Sequence, residues 1–145
     1  MSTVVALPER VRLSTREQAA GHLAVGAAHL ITAVLATRPA RLKTALALFA
    51  HRATPATTAQ AARARTVVCT VSPRCGSGYG CLPRSIATAL LCRLAGTWPE
   101  WKSGVRFPPL TSHAWVEADG APVGEDPHTI STFTATLTVP PGGAP

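Results

Sequence analysis

Acidic residues are scarce in this chain. It carries 7 Asp and Glu residues against 14 Lys and Arg residues, for a formal net charge of +7. No acid occurs from residue 18 to residue 99, a stretch with nine basic residues: Arg38, Arg41, Lys43, Arg52, Arg63, Arg65, Arg74, Arg84 and Arg93. A region of one charge sign favours an acidic partner. The alternative is a solvated basic face that follows from an Arg-rich composition.

Aromatic residues and long apolar runs are also few. Aromatic residues make up 5% of the chain, and no basic stripe interleaved with aromatics and no nucleic-acid motif is present, so we expect no nucleic-acid partner. Residues 19–36 form the longest apolar run, but Ala and Gly dominate it, and it is interrupted by His22, His29 and Thr32. A bilayer span needs about 20 strongly apolar residues. This run therefore predicts a buried helix and no membrane span.

The first residues, MSTVVALPERVRL, lack the long apolar core and the cleavage site of a secretory signal. We therefore expect a cytoplasmic protein whose four cysteines are reduced. A length of 145 residues predicts a single domain over residues 1–145. Within it we expect a helical N-terminal half at 1–71, a core at 72–139 that carries the chemistry, and a flexible tail at 140–145.

The N-terminal half reads as a short arm over residues 1–13 followed by three helices. Ser14 and Glu17 have the spacing of a capping box, which predicts a helix that continues to about residue 37. Its apolar face is predicted from helical spacing to comprise Leu23, Ala27, Leu30 and Val34. Pro39 suits the first turn of a second helix to about residue 51, and a third is expected over residues 58–71.

A Gly-rich loop at residues 72–80 leads to Cys81. The residues after it recur at helical spacing, which predicts a buried helix that Gly96 ends: Leu82, Ile86, Leu90 and Leu94. Cys81 would then lie at a helix N-terminus, where backbone N–H groups and the helix dipole stabilise a thiolate and lower the thiol pKa. Cys92, among leucines, is expected to be a core residue.

Strand patterns follow Gly96. Extended chain is expected from Trp98 to Phe107, and Pro108-Pro109 interrupts it. Residues 112–118 alternate and place His113, Trp115 and Glu117 on one face. Asp119-Gly120 is typical of a hairpin turn, and the return strand at 121–124 brings Glu125-Asp126 back towards His113. A last strand is expected from the apolar residues between 130 and 139.

A thiol, an imidazole and a carboxylate therefore occur in the order that a cysteine hydrolase needs. The thiolate of Cys81 would attack, the imidazole of His113 would move the proton, and a carboxylate would orient the imidazole. Of the seven acids, Glu125 and Asp126 alone can return across the hairpin to His113. Spacing does not separate these two, because a single bulge would exchange them.

A zinc site is the alternative interpretation of the cysteines. Cys69, Cys75, Cys81 and Cys92 could supply ligands together with His113. Five residues separate each of the first three cysteines, however, whereas thiolates that share a zinc ion lie two to four residues apart. The spacing favours no metal, and we expect no cofactor.

The segments VSPRCGSGYGCLPRSIATALLCRLAG and SHAWVEADGAPVGE resemble the leader peptidases of lasso-peptide biosynthesis, in particular the stand-alone protease half of the split B-type maturation protein. The wider family is the transglutaminase-like cysteine proteases. The resemblance implies an α+β fold with a transglutaminase- or papain-like core, N-terminal helices, the nucleophile at a helix N-terminus, and antiparallel strands that carry the histidine and the acid.

The resemblance also implies a function and partners. Such proteins cut the leader from a ribosomally made precursor, and a separate cyclase joins the freed amine to an Asp or Glu side chain. A small recognition protein, the other half of the split B protein, holds the leader. Cys81 would be the nucleophile and His113 the base, and the position of the family's acid leans towards Glu125 over Asp126. Four further motif residues would support the helix start or shape the site: Arg84, Ser85, Trp115 and Glu117.

Two other functions fit the same residues. A transglutaminase-type acyltransferase would pass through the same thioester and differ only in the acceptor that attacks it. A non-catalytic peptide- or zinc-binding module would use none of this chemistry. The short chain favours the peptidase, because little of it is left to build a second substrate site.

Overall fold

Helices predominate from residue 15 to residue 94, and strands predominate from residue 97 to residue 139. The computed structural model describes residues 11–142. Its elements are α1 Thr15–Leu35, α2 Pro39–Ala50, β1 Thr54–Pro55, α3 Thr58–Val71, α4 Pro73–Gly76, α5 Cys81–Leu94, β2 Thr97–Trp98, β3 Glu100–Arg106, β4 Thr111–Ala118, β5 Ala121–Pro122, α6 Pro127–Ser131 and β6 Thr134–Val139. The predicted α+β class is confirmed.

The helix starts follow local side-chain chemistry. Ser14 and Glu17 form both hydrogen bonds of the predicted capping box, each 3.1 Å long, at the start of α1. Thr57 and Gln60 form a second capping box at α3. Pro39 occupies the first turn of α2. The three predicted N-terminal helices are therefore confirmed. Side-chain caps satisfy free N–H groups at the starts of α1 and α3, and at α2 a proline, which has no N–H group, occupies the first turn.

The predicted apolar face of α1 is wrong. The exposed fractions of Leu23, Leu30 and Val34 are 64%, 66% and 55%. The side that packs on α3 and α5 is instead made of small residues, namely Gly21, Ala24, Val25 and Ala28. A Cβ at Gly21 would lie 2.8 Å from Val67, so the close approach of the helices selects glycine there.

The prediction that α1 is a buried helix is therefore correct for only one side of the helix. One side of α1 is buried and the other faces solvent. By length and hydropathy alone, α1 could cross a membrane. The core helix of a soluble protein and a signal sequence meet the same two criteria. The packing of its small-residue side on two other helices is the arrangement that the structure shows.

The four-stranded sheet has the order β5-β4-β3-β6, and every neighbouring pair is antiparallel. The hairpin between β4 and β5 turns at Asp119-Gly120 as predicted, with φ angles of 52° and 79°. β1 and β2 form a separate short parallel pair. The sheet places His113, on β4, opposite Gly104 of β3.

Helix α5 is the element against which the rest of the fold packs. It contacts α1, α3 and β4, and its predicted extent from Cys81 to the turn before Gly96 is confirmed. Trp101 is fully buried on β3 and its indole N–H donates to the Ser85 hydroxyl at 3.0 Å. The sheet is thereby fixed against the helix that carries Cys81.

Several local predictions differ from the structure. Residues 73–76 of the expected loop form one helical turn, which Ser72 caps through a hydrogen bond from the Cys75 N–H. Ile130 lies in α6, so the last strand begins only at Thr134. The N-terminal arm up to residue 10 and the tail after residue 142 lie outside the described residues.

Candidate active site

Cys81 is the first residue of α5, and the loop before it is tightly held. A Cβ at Gly80 would overlap the carbonyl oxygen of Arg74, so only glycine permits this approach. Arg84 donates from Nη1 to the carbonyl oxygens of Cys75 at 2.9 Å and Ser77 at 3.0 Å. The guanidinium of a residue one turn into the helix thus fixes the loop that delivers the thiol.

The N-terminus of α5 has no side-chain cap, because its N-cap residue is Gly80. Pro83 has no N–H group to contribute. The backbone N–H groups of Cys81 and Leu82 are therefore the donors that this helix end presents beside the thiol.

His113 projects from β4 towards two aromatic rings. Its ring centroid lies 6.0 Å from that of Trp115, in a stacked arrangement, and 5.5 Å from that of Phe133. Its Nε2 lies 3.3 Å from Oε2 of Glu125. This contact occupies Nε2, and the flanking rings restrict rotation of the imidazole.

Cys81 and His113 shift each other's pKa. The hydrogen-bonding interaction with His113 lowers the pKa of the Cys81 thiol; burial opposes it, and the Ala114 N–H and the charges of His113 and Arg84 support it. Hydrogen bonding to Cys81 and then to Glu125 raises the pKa of His113 to about 9. Both shifts favour a thiolate beside an imidazolium at neutral pH.

Glu125 is the acid that contacts the imidazole. Its other oxygen, Oε1, lies 3.7 Å from Nη2 of Arg65 and 3.5 Å from Nη2 of Arg84. Burial acts to raise the pKa of this carboxyl, but the hydrogen bond from His113 and the charges of His113, Arg84 and Arg65 outweigh it and lower the pKa. The carboxylate is therefore ionised and held by three cationic partners.

Asp126 has a different place. It is the N-cap of α6, and its Oδ2 accepts from the Thr129 N–H at 3.0 Å and from the Thr129 hydroxyl at 2.7 Å. These hydrogen bonds lower the pKa of its carboxyl. Of the two acids that spacing could not separate, the structure brings Glu125 to His113 and uses Asp126 to begin a helix.

The remaining motif residues surround this group. The Trp115 indole N–H donates to Oε1 of Glu117 at 3.0 Å, and Oε2 of Glu117 pairs with Lys102 at 3.1 Å. Ser85 donates to the carbonyl oxygen of Leu82 at 2.9 Å. These contacts hold Trp115 beside the imidazole and tie the first turn of α5 together.

A cavity of about 420 Å³ contains both Cys81 and His113. Apolar side chains and small hydroxyl side chains line the rest of it: Ala36, Pro39, Leu42, Leu82, Ala114, Leu137, Ser103, Ser112 and Thr136. A larger groove of about 580 Å³ lies between α1, α3 and α5 and contains Cys92. The smaller cavity is the candidate site, because it holds the thiol whose pKa is lowered.

The other cysteines are unpaired, and within residues 11–142 no group of three or more His, Cys, Asp or Glu side chains is placed to hold a metal ion. Burial raises the pKa of Cys92 to about 11 and is the main cause that raises the pKa of Cys69.

Sequence reasoning missed two residues at the site. Arg65 lies on α3, sixty residues before the acid it contacts, and nothing local marks it. Phe133 was expected in a strand, but it follows α6, where its ring packs on His113 and under the Arg106 guanidinium at 4.7 Å.

The comparison with protein families matches residues 22–138 to the transglutaminase-like superfamily. The matched region includes Cys81, His113 and Glu125. No curated protein and no solved structure shows a significant match to the chain.

Proposed function

The chain belongs to the transglutaminase-like superfamily, and from that premise we propose that it is a cysteine endopeptidase that removes the leader from a ribosomally synthesised lasso-peptide precursor. The observation that carries the peptidase chemistry is the pair Cys81 and His113 at one cavity, with the Glu125 carboxylate against the imidazole. The choice of substrate is supported by the resemblance of the segments around Cys81 and His113 to lasso leader peptidases.

In the proposed reaction, the Cys81 thiolate attacks the scissile carbonyl carbon of the leader. The backbone N–H of Cys81, at the uncapped start of α5, is placed to stabilise the developing oxyanion. His113 gives its proton to the leaving amine, which departs as the core peptide's N-terminus, and the leader remains as a thioester on Cys81.

Hydrolysis of the thioester completes the cycle. His113 takes a proton from water, the resulting hydroxide attacks the thioester carbonyl, and the leader leaves with a free carboxylate while the thiolate is regenerated. Glu125 orients the imidazole and stabilises its cation throughout. The separate cyclase then acts on the freed amine of the core peptide.

The cavity supports a peptide substrate with an uncharged residue beside the scissile bond. The ionisable side chains that line it are Cys81, the proposed nucleophile, and His113. An acyltransferase would use the same thioester but would need access for an amine. Addition of a primary amine therefore separates the two reactions: a peptidase releases leader carboxylate, whereas an acyltransferase releases leader amide.

We further propose that the helical half docks the leader-recognition protein. Two surface features support this. Five basic residues of the acid-free stretch, four in this half and Arg74 just after it, have exposed positions: Arg38, Arg41, Lys43, Arg52 and Arg74. The exposed side of α1 is apolar, with Leu23, Leu30 and Val34. A partner with an apolar surface and acidic residues around it would complement both.

Not all of the basic set is available for such docking. Arg63 pairs with Glu17 at 2.7 Å, Arg65 and Arg84 face Glu125, and Arg93 donates to the Phe49 carbonyl. The contact is therefore expected to be part apolar and part electrostatic. Its electrostatic part should weaken as salt shortens the screening length from about 10 Å.

The test needs a precursor peptide and a recognition protein, which are to be sought in the neighbouring reading frames. Cleavage of the leader is followed by mass spectrometry for the wild type, Cys81→Ala and the control Cys92→Ala, which alters a cysteine of the same helix. We expect cleavage by the wild type and the control only. Cleavage by Cys81→Ala would refute the proposed nucleophile.

The docking proposal is tested in the same assay with and without the recognition protein, from low salt to about 0.5 M, where screening extends only a few ångströms. We expect slow cleavage by the protease alone, strong stimulation by the partner, and partial loss of that stimulation at high salt. Full activity without the partner, unaffected by salt, would contradict the docking. Because reduced thiols are needed, we place the reaction in the cytoplasm.

A further inference from the structure

Helix α3 holds the β4–β5 hairpin at two points. At its start, Oδ2 of Asp119 accepts hydrogen bonds from the Thr58 N–H at 2.9 Å and the Thr58 hydroxyl at 2.7 Å. Two turns further along, the guanidinium of Arg65 reaches Oε1 of Glu125 at 3.7 Å. The segment that carries the acid is thus fixed at its turn and at its end by one helix.

The side chain of Arg65 also packs on the backbone just before the acid. A Cβ at Gly124 would lie 2.5 Å from Cδ and 2.6 Å from Nε of Arg65. Gly124 has φ of +67°, a region that glycine adopts readily. Glycine at this position therefore lets the arginine cross the backbone and lets the chain turn so that Glu125 faces His113.

The two oxygens of Glu125 have separate partners. Oε2 faces Nε2 of His113, and Oε1 faces the two guanidinium groups. At 3.5 and 3.7 Å these guanidinium contacts are ion pairs and are longer than hydrogen bonds. A change of the Glu125 rotamer, or a partial rotation of its carboxylate, would move the oxygens away from the guanidinium groups and the imidazole together, so the pairs favour the orientation that serves the imidazole.

The two arginines differ in what else they hold. Arg84 is 8% exposed and supports the loop before Cys81 through two carbonyl oxygens, so its removal would disturb the thiol directly. For Arg65, within residues 11–142, the only polar partner of the side chain is Glu125. A change at Arg65 therefore tests the effect on the acid more cleanly.

We infer that Arg65 is a positioning residue, whose stem and guanidinium hold the Glu125 carboxylate with one oxygen directed at His113. The inference rests on the proposed function, in which Glu125 orients the imidazole. Without Arg65 the carboxylate is free to turn towards water and stabilises the imidazolium less well. The thiolate of Cys81 then loses part of its counter-charge at neutral and acidic pH.

The experiment measures alkylation of Cys81 by iodoacetamide from pH 5 to 10, followed by peptide mass spectrometry, and needs no substrate. Arg65→Met keeps an apolar stem and removes the charge. Arg63→Met is the matched control, because Arg63 lies on the same helix and is also ion-paired, at 2.7 Å to Glu17, away from Glu125. Glu125→Gln is the reference for loss of the acid, and Arg65→Lys tests rescue by charge.

For Arg65→Met we expect alkylation at pH 6 to slow about three- to tenfold, with the acid limb displaced upward by roughly half to one pH unit, since thiol reactivity follows the thiolate fraction. Glu125→Gln should displace the acid limb of the profile further. Arg65→Lys should recover part of the rate, and Arg63→Met should superimpose on the wild type, whatever its thermal stability.

A wild-type profile for Arg65→Met beside a displaced one for Glu125→Gln would overturn the role of Arg65 and leave the acid assignment intact. An equal displacement in Arg63→Met would also overturn it, because any lost ion pair on α3 would then have the same effect. If Glu125→Gln itself leaves the profile unchanged, the proposed function loses its orienting acid, which is a separate failure.

Discussion

The two ends of α5 carry the same side chain in opposite chemical states. At the first residue, hydrogen bonding with His113 lowers the pKa of the Cys81 thiol. Eleven residues later, burial raises the pKa of Cys92 to about 11, and that side chain is 4% exposed. Both cysteines lie in the same helix, so the difference between their pKa values comes from their positions and their partners alone.

Position and partners account for the opposite pKa shifts of the two thiols. Cys81 is at the end where N–H groups point out of the helix, and a strand places an imidazole against it. Cys92 is in the last turn, where the nearest polar groups are carbonyl oxygens and Thr97. A buried thiol without a cationic partner stays protonated and inert.

Removal of the imidazole should erase most of this difference. In His113→Ala the Cys81 thiol loses the main cause of its lowered pKa, and the leaving amine loses its proton donor. We expect leader cleavage to fall about 10⁴–10⁶-fold, because loss of the histidine of a serine-protease triad costs up to about 10⁶ in turnover. The assay is single-turnover cleavage followed by mass spectrometry. His22→Ala, on the exposed side of α1, is the control; a fall of less than tenfold for His113→Ala would contradict the assigned base.

The neighbouring acids sharpen the comparison at the Cys81 end. Glu125→Gln should reduce turnover about 10²–10⁴-fold, because the imidazolium loses its partner. Asp126→Asn should change turnover little and lower the melting temperature slightly, because Asn replaces the cap of α6. Turnover and thermal unfolding are measured for both. Equal, small losses of turnover would mean that another group orients His113.

The thiols can be compared directly by labelling. With iodoacetamide at pH 7 we expect Cys81 to react at least about a hundredfold faster than Cys92, since the rate follows thiolate fraction and access. Peptide mapping gives the rate at each cysteine, and unfolding in guanidinium should make all four rates similar. Faster modification of Cys69 or Cys92, with activity lost in proportion, would place the nucleophile elsewhere.

The pH dependence gives the smallest effect. The thiolate forms as pH rises through the lowered pKa of Cys81, and the imidazolium is lost as pH rises through about 9, the raised pKa of His113. Activity should therefore be level across neutral pH and fall about tenfold per unit above that upper limit. Steady-state rates from pH 5 to 10.5 test this. A decline of the rate that begins near pH 6.5 would show that the pKa of His113 is not raised.

The order of the site residues along the chain could be predicted because a local sequence pattern accompanies each of them. Cys81 follows a Gly-rich loop and begins a helical pattern, and Asp119-Gly120 marks the turn that returns the acid. The spacing left the choice between Glu125 and Asp126 open, and only the family resemblance leaned towards Glu125. In the structure Gly124, with a positive φ, turns the chain between the hydrogen bond from Val123 to Val116 and the Glu125 side chain.

Two features of the structure depend on long-range packing, and no local sequence pattern predicts them. The buried side of α1 was assigned to its leucines, yet close helix packing selects Gly21 and Ala28, since small residues let backbones approach. Arg65 contacts Glu125 through the angle at which α3 passes the hairpin, and that angle is set by the whole fold. Apolar periodicity gives the existence of a helix more securely than the side that it buries.

The exposed leucines of α1 have a consequence for handling the purified protein. Leu23, Phe49 and Leu94 line an apolar groove of about 190 Å³ that faces solvent in the folded chain, and Leu30 adds exposed apolar surface on the same helix as Leu23. Dyes such as ANS, which brighten on apolar surfaces and are used to detect partly folded states, should therefore bind the native protein. Dye fluorescence would then report occupancy of this groove, and unfolding is better followed by the environment of the buried Trp98 and Trp101.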